Sequence, residues 1–159
     1  MVDLTDNRNF LQPTSFKLVI DRRNYPNLEY FATQISHPSV TATAAELPYS
    51  RANVPFAADK LTFSELDISI ILDEDMTAYT EMYNWIERLV ENKHLDEDYP
   101  QQADITVSIL SSHNNGNKRI RYIDCIPTSI GNITLEATVT DVQYITIPMS
   151  FRFSYFTVL

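Results

Sequence analysis

Apolar and polar side chains alternate most strictly near the end of the chain. Between Tyr144 and Tyr155, Ile145, Ile147, Met149, Phe151, Phe153 and Tyr155 share one parity, while Tyr144, Thr146, Ser150, Arg152 and Ser154 share the other. A period of two over about a dozen residues predicts a long half-buried strand. Ile133, Leu135, Ala137 and Val139 alternate with Thr134, Glu136, Thr138 and Thr140 in the same way. With Thr140 and Asp141 as the turn, the two segments predict an antiparallel hairpin with one apolar and one polar face.

Further upstream the pattern predicts shorter pieces. Residues 1–14 read as a polar arm closed by Pro13. Phe16, Leu18 and Ile20 alternate with Lys17, Val19 and Asp21 and predict a first strand, followed by a turn at Arg22–Asn27 and a second strand around Leu28–Ile35, the two forming a hairpin. From Ser36 to Lys60 neither period is sustained, and the stretch reads as a long extended loop over 41–60. Val40, Leu47, Tyr49, Val54 and Phe56 are spread through it, so its composition is not that of a disordered linker. Apolar residues in such a loop need something to pack on, and another chain is the expected partner, the alternative being a loop folded back on its own domain. Leu61–Leu72 reads as strand again.

The period then changes. Tyr79, Met82, Tyr83, Ile86, Leu89 and Val90 form one stripe, predicting an amphipathic helix over 76–93 that lies against the sheet. Asp73-Glu74-Asp75 precedes it and Asp96-Glu97-Asp98 follows. Ala103–Leu110 and Arg119–Ile126 predict a hairpin around Asn115-Gly116, the second strand ending at Pro127.

Composition narrows the function. The chain has 159 residues, enough for one domain with a real core. It carries 12 basic and 21 acidic residues, a net charge of −9, which argues against holding nucleic acid by phosphate neutralisation. Arg119, Arg121, Tyr122 and Arg152 are the candidates for a basic aromatic face, too few for a monomeric binding barrel at this charge. The single cysteine, Cys125, excludes an internal disulfide and reads as a small buried hydrophobe. The first thirty residues hold no apolar core of a secretory signal, and no run approaches the length of a membrane span. With two glycines in all, no phosphate-cradling loop is expected.

Catalytic chemistry finds little purchase. His37, His94 and His113 are far apart and fall in predicted loops or at a helix end. The two acidic triplets read as solvated caps at the helix ends rather than a cation site. No nucleophile elbow, glycine-rich loop or Cys-x-x-Cys occurs. The sequence gives no reason to expect an enzyme, a metal or a cofactor.

The stretch Cys125-Ile126-Pro127-Thr128-Ser129-Ile130-Gly131, followed by a terminal hairpin whose last strand ends in an aromatic, resembles the C-terminal signature of the tail tube proteins of contractile-tailed bacteriophages. The first strand, the single helix centred on Trp85 and the Asn-Gly hairpin resemble other parts of that family, which is related to the type VI secretion tube. The resemblance implies an antiparallel β-sandwich or partial barrel with one flanking helix. Six copies would form a ring with a continuous inner β-barrel, and rings would stack into the tube that conducts DNA during ejection. It also implies a sheath protein outside, a tape-measure protein and DNA in the lumen, and baseplate and terminator proteins at the ends. The place would be the virion tail, assembled in the host cytoplasm without membrane anchoring. A tube initiator or baseplate hub ring of the same fold, or the tube of a non-phage injection system, is the alternative.

Two expectations about residues follow from that resemblance. The loop residues Leu47, Tyr49, Arg51, Val54 and Phe56 would make the ring-to-ring contact, with Arg51 and Glu46 tuning register; each large apolar side chain fully buried there contributes about 1.5–3 kcal/mol. Thr134, Glu136, Thr138 and Thr146 would face a neutral to acidic lumen. Pro148, in mid-strand, should mark an edge or a bulge.

Overall fold

The computed structural model describes residues 13–21, 23–57, 60–91, 101–111, 116–138, 140–141 and 143–159. Strand β1 (Phe16–Val19) leads to a short helix α1 (Pro26–Tyr30), then β2 (Ala32–Ser36), β3 (Val40–Ala42), β4 (Ala45–Tyr49), β5 (Ala52–Phe56), β6 (Leu61–Phe63) and β7 (Leu66–Ile71). Helix α2 (Thr77–Glu91) follows, then β8 (Ala103–Leu110), β9 (Gly116–Ile130), β10 (Thr146–Arg152) and β11 (Tyr155–Val158).

The 15-residue β9 organises these elements. Its first part pairs with β8 and β11, and its last part pairs with β10, all antiparallel. The β8 sheet therefore runs β1-β8-β9-β11 and the β7 sheet runs β9-β10-β7-β2. Near the changeover Asp124 takes a φ of 55°. Leu18, Ile105, Val107 and Tyr122 from one sheet and Leu66, Ile68, Ile70, Ile147, Met149 and Phe151 from the other are buried in one core. This is the mainly antiparallel β-architecture with one flanking helix that the pattern predicts.

Helix α2 closes that core with Ala78, Met82 and Trp85, all fully buried, and with Tyr79, Ile86 and Leu89 packed against it, whereas Tyr83 and Val90 of the predicted stripe are exposed. Trp85 stacks on Tyr25 with ring centroids 4.3 Å apart, and its indole N–H donates to the Gln101 carbonyl at 3.0 Å. Asp73 supports the start of the helix, accepting from the Thr77 amide at 2.9 Å and from the Thr77 hydroxyl at 2.7 Å. One acid of the first triplet thus does act as a cap. The second triplet, together with helix positions 92–93, lies outside the described residues, as do His94, His113 and residues 1–12 of the polar arm.

Several expectations about pairing need correction. The second strand begins at Ala32 rather than Leu28, because Pro26 starts α1 and Glu81 holds its first turn by accepting from Asn27 Nδ2 and the Leu28 amide. The first two strands do not form a hairpin: β1 pairs with β8 and β2 with β7. Leu61–Leu72 breaks at Ser64-Glu65 into β6 and β7.

The second hairpin also differs. β9 does not end at Pro127 but runs through it to Ile130, with a register shift opposite Ser150/Phe151 that leaves Thr128 as an extra residue. A bulge is where a strand tolerates the missing N–H of proline. Ile133–Val139 forms no strand among its described residues; β10 pairs instead with the end of β9. Pro148 sits in the middle of β10, which is flanked on both sides, yet its position is locally an edge. Its carbonyl accepts from the Gly131 amide at 2.8 Å, so its ring nitrogen faces the same side, where β9 has already ended.

Candidate assembly surfaces

The stretch read as a long irregular loop is a two-stranded arm. Beyond the Ser36↔Asp67 pair the β2–β7 ladder continues as β3 against β6, and then as β4 against β5. The tip is a tight turn at Ser50-Arg51, closed by Tyr49↔Ala52. Counting pairs from that closure, Pro48 and Pro55 both fall in the alternate positions whose amides point away from the partner strand, so neither removes a ladder bond. The two prolines hide the signal, but the alternation is present: Ala45, Leu47, Tyr49 and Ala52, Val54, Phe56 are the apolar halves of two short runs.

Register places those six side chains on one face of the arm, and Glu46, Pro48, Asn53 and Pro55 on the other. Asn53 Nδ2 donates to Glu46 Oε2 at 2.9 Å and satisfies the polar face. On the apolar face Leu47 is 56% exposed, Tyr49 76%, Val54 44% and Phe56 52%. The sequence-predicted contact residues are therefore gathered on one largely exposed surface, and Arg51 stands in the turn at its end.

The root of the arm is anchored by aromatics, which the sequence does not announce. Phe63 packs against Phe153 and Phe156, with centroids 5.4 and 5.5 Å away. His37, in the bend between β2 and β3, meets the edge of Phe156 at 5.0 Å, and its Nδ1 lies 2.6 Å from the hydroxyl of buried Tyr122. Burial pushes the His37 imidazole below its ordinary value and raises the Tyr122 phenol far above its own.

The opposite end of the β7 sheet carries the connection from Gly131 to Ile145. Thr146 pairs with Ile71 and the Leu72 amide donates to the Ile145 carbonyl, whereas Leu66, at the other end of the same strand, pairs with Phe151 beside the root of the arm. Leu135 is 82% exposed on this connection and Tyr144 78%. Thr134, Leu135, Glu136, Asp141, Gln143 and Ile145 line a shallow depression of about 400 Å³ there. Three of the four lumen candidates, Thr134, Glu136 and Thr138, thus lie on this connection rather than on a sheet face. Thr146 alone stands on the outward face of the β7 sheet.

The two outward sheet faces differ in charge. On the β7 sheet Asp67, Ser69, Thr146, Ser150 and Arg152 point away from the core, and the Ser150 hydroxyl donates to Asp67 at 2.6 Å. On the β8 sheet the corresponding positions are Lys17, Thr106, Ser108, Arg119, Arg121 and Asp104. Asp104 accepts twice from Arg121, at 3.1 and 2.5 Å, leaving Lys17 and Arg119 on either side of Ser108.

Reactive groups are few. Cys125 is buried, and burial raises its thiol to about 12. Among the described residues no group of three His, Cys, Asp or Glu side chains is placed to hold a metal ion, and no helix is long and apolar enough to cross a membrane.

No protein-family model and no curated protein matches the chain. Solved structures do. A chain of the six-fold symmetrised anti-feeding prophage baseplate aligns over 96% of this chain and 97% of its own, with a TM-score of 0.70 and 13% identity. A chain of the cap that terminates the anti-feeding prophage tube aligns over 100% and 99%, with a TM-score of 0.69 and 14% identity. A chain of the extended sheath–tube complex of the PVC extracellular contractile injection system aligns over 96% and 93%, with a TM-score of 0.66 and 13% identity. At these identities the likeness is one of fold: this chain folds as components of contractile injection assemblies do.

Proposed function

We propose that this chain is a structural ring protein. Six copies close into a ring, rings stack into a tube, and the tube conducts DNA through a contractile tail. The observation that carries the reading is the arm: four large apolar side chains, 44–76% exposed, leave on the order of 400 Å² of apolar surface on one face, a patch of the size that is often functional. Leu47, Tyr49, Val54 and Phe56 make the contact between rings, with Arg51 at its rim. The shared fold with chains of contractile injection assemblies supports this role, and a tube built of rings uses no catalytic group.

Charge selects the wall that faces the channel. A polyanion sliding past a row of cations is held at each of them. The β7 sheet offers hydroxyls with one Asp67 and one Arg152, whereas the β8 sheet offers Lys17 and Arg119 beside the Arg121–Asp104 pair. The β7 face, with Thr146, therefore lines the lumen, and the connection carrying Thr134, Glu136 and Thr138 forms its rim. The β8 face turns outward, towards a sheath protein. The edges β2 and the free side of β9 at Ile126–Ile130 pair between neighbours, which continues the inner barrel and removes exposed edges. A tape-measure protein in the lumen, and baseplate and terminator proteins at the ends, complete the assembly.

A second reading is a ring of the same fold in a non-phage injection system, or at the baseplate, where the tube starts. What favours it is that the aligned structures come from injection-system assemblies and one of them is a baseplate. Negative-stain microscopy of the purified protein, with sedimentation analysis, tests the common core of both. Six-fold rings or tubes are expected. A protein that remains monomeric at high concentration overturns it.

A further inference from the structure

The apolar arm and the connection 131–145 lie at opposite ends of the β7 sheet, separated by the length of β7, about 17 Å at the usual strand rise. A surface at one end that fits a surface at the other is a heterologous contact, and repeated along an axis it builds an open stack rather than a closed pair. We propose that the arm tip of one copy docks into the depression on the connection of the copy in the next ring. The inference rests on the stacking role of the arm and names its receiver.

Both surfaces carry features that the single chain leaves unused. Among the described residues Leu135 and Tyr144 are the large exposed apolar groups of the connection, matching Leu47, Tyr49, Val54 and Phe56 on the arm. The charges match too. Arg51 and Glu46 are the charged residues of positions 40–57, and Glu46 is already held by Asn53. Among the described residues Arg51 has no ion pair or hydrogen bond, and it stands at the turn where the arm ends. The stretch 131–145 contains no Lys or Arg, and its acids line the depression: Glu136, whose Oε1 accepts from the Thr138 hydroxyl at 2.6 Å, and Asp141. A tip of Tyr49-Ser50-Arg51 thus meets an apolar wall made by Leu135 and Ile145 and an acidic rim made by Glu136 and Asp141. Six such contacts act together on each ring, so a weak single contact suffices for a stable stack.

Cross-linking reads the partner directly. Two variants, Ser50→Cys and Gln143→Cys, each place a thiol on one of the two surfaces, while Cys125 stays buried. Under mild oxidation neither variant alone should form a linked dimer, and an equimolar mixture should. Dimers from Ser50→Cys alone mean that arms meet arms, which overturns the receiver while leaving stacking through the arm intact. Absence of the mixed dimer where tubes are visible also overturns it.

A charge exchange gives the second readout. Arg51→Glu should raise the concentration at which tubes appear on the order of tenfold, and adding Glu136→Arg and Asp141→Arg should bring it back to within about twofold. Failure of that rescue counts against the pairing. If instead a chain lacking residues 46–56 still grows tubes of normal length, the stacking role of the arm itself falls, and this inference with it.

Discussion

Gly131 and Pro148 occupy each other's space. The Gly131 amide donates to the Pro148 carbonyl at 2.8 Å, and a Cβ added at position 131 would stand 2.5 Å from Pro148 Cδ and 2.8 Å from Cγ. The glycine that ends the Pro127–Gly131 stretch is therefore required by a ring seventeen residues later rather than by a turn. Gly131→Ala should destabilise the protein by about 1–3 kcal/mol in urea unfolding, as other overpacking changes do. Adding Pro148→Ala should recover part of that loss. A Gly131→Ala chain as stable as the parent would show that the two residues do not meet.

The arm should separate assembly from stability. Leu47→Ser with Phe56→Ser removes apolar groups that stand about half exposed on the arm, outside the buried core. The unfolding midpoint should stay within about 0.5 kcal/mol of the parent, while tubes disappear and rings remain in micrographs. A collapse of stability would instead show that the arm packs on its own subunit.

His37 should make stability depend on acidity. Burial lowers its pKa in the folded state relative to the ordinary 6.5 of an unfolded chain, so the unfolded chain binds the proton more readily. The stabilising contribution is complete above pH 6.5 and falls as the pH drops towards the lowered folded value. Unfolding curves at pH 8 and pH 5 should differ, and His37→Gln should shrink the difference. Tyr122→Phe, which removes the hydroxyl bonded to His37, should cost about 1 kcal/mol at pH 8.

Cys125 should be chemically silent. With its thiol raised to about 12, almost no thiolate exists at pH 8 in the folded protein. Iodoacetamide should modify it only at the rate of unfolding, and urea should release that block. Fast labelling of the native chain would contradict its burial.

Trp85 joins helix and sheets, contacting Tyr25 and Phe151 and donating to the Gln101 carbonyl. Trp85→Ala should cost about 3–5 kcal/mol by urea unfolding. Trp85→Phe keeps the packing but loses the donor, so it should cost clearly less. Equal losses would mean that the indole bond, not the volume, dominates.

Elements whose signal is local are legible along the chain. Ala103–Leu110 is a strand as read, Tyr79 to Val90 lie in helix α2 although Tyr83 and Val90 are exposed and Trp85 is buried, and Ile147, Met149 and Phe151 face the core as their parity requires. Periodicity reports which face of a segment is apolar, and that depends only on neighbours along the chain. It does not report which strand lies alongside. Packing in three dimensions sets β1 against β8 rather than β2, lets β9 serve two sheets, and leaves Ile133–Thr138, although alternating, outside every strand. The same holds for the arm. Its alternation was short and interrupted by Pro48 and Pro55, and only the register of β4 against β5 shows that both prolines sit where no bond is lost and that six apolar side chains share one face. A strand needs an edge to pair with, and which edge is free is a property of the whole fold.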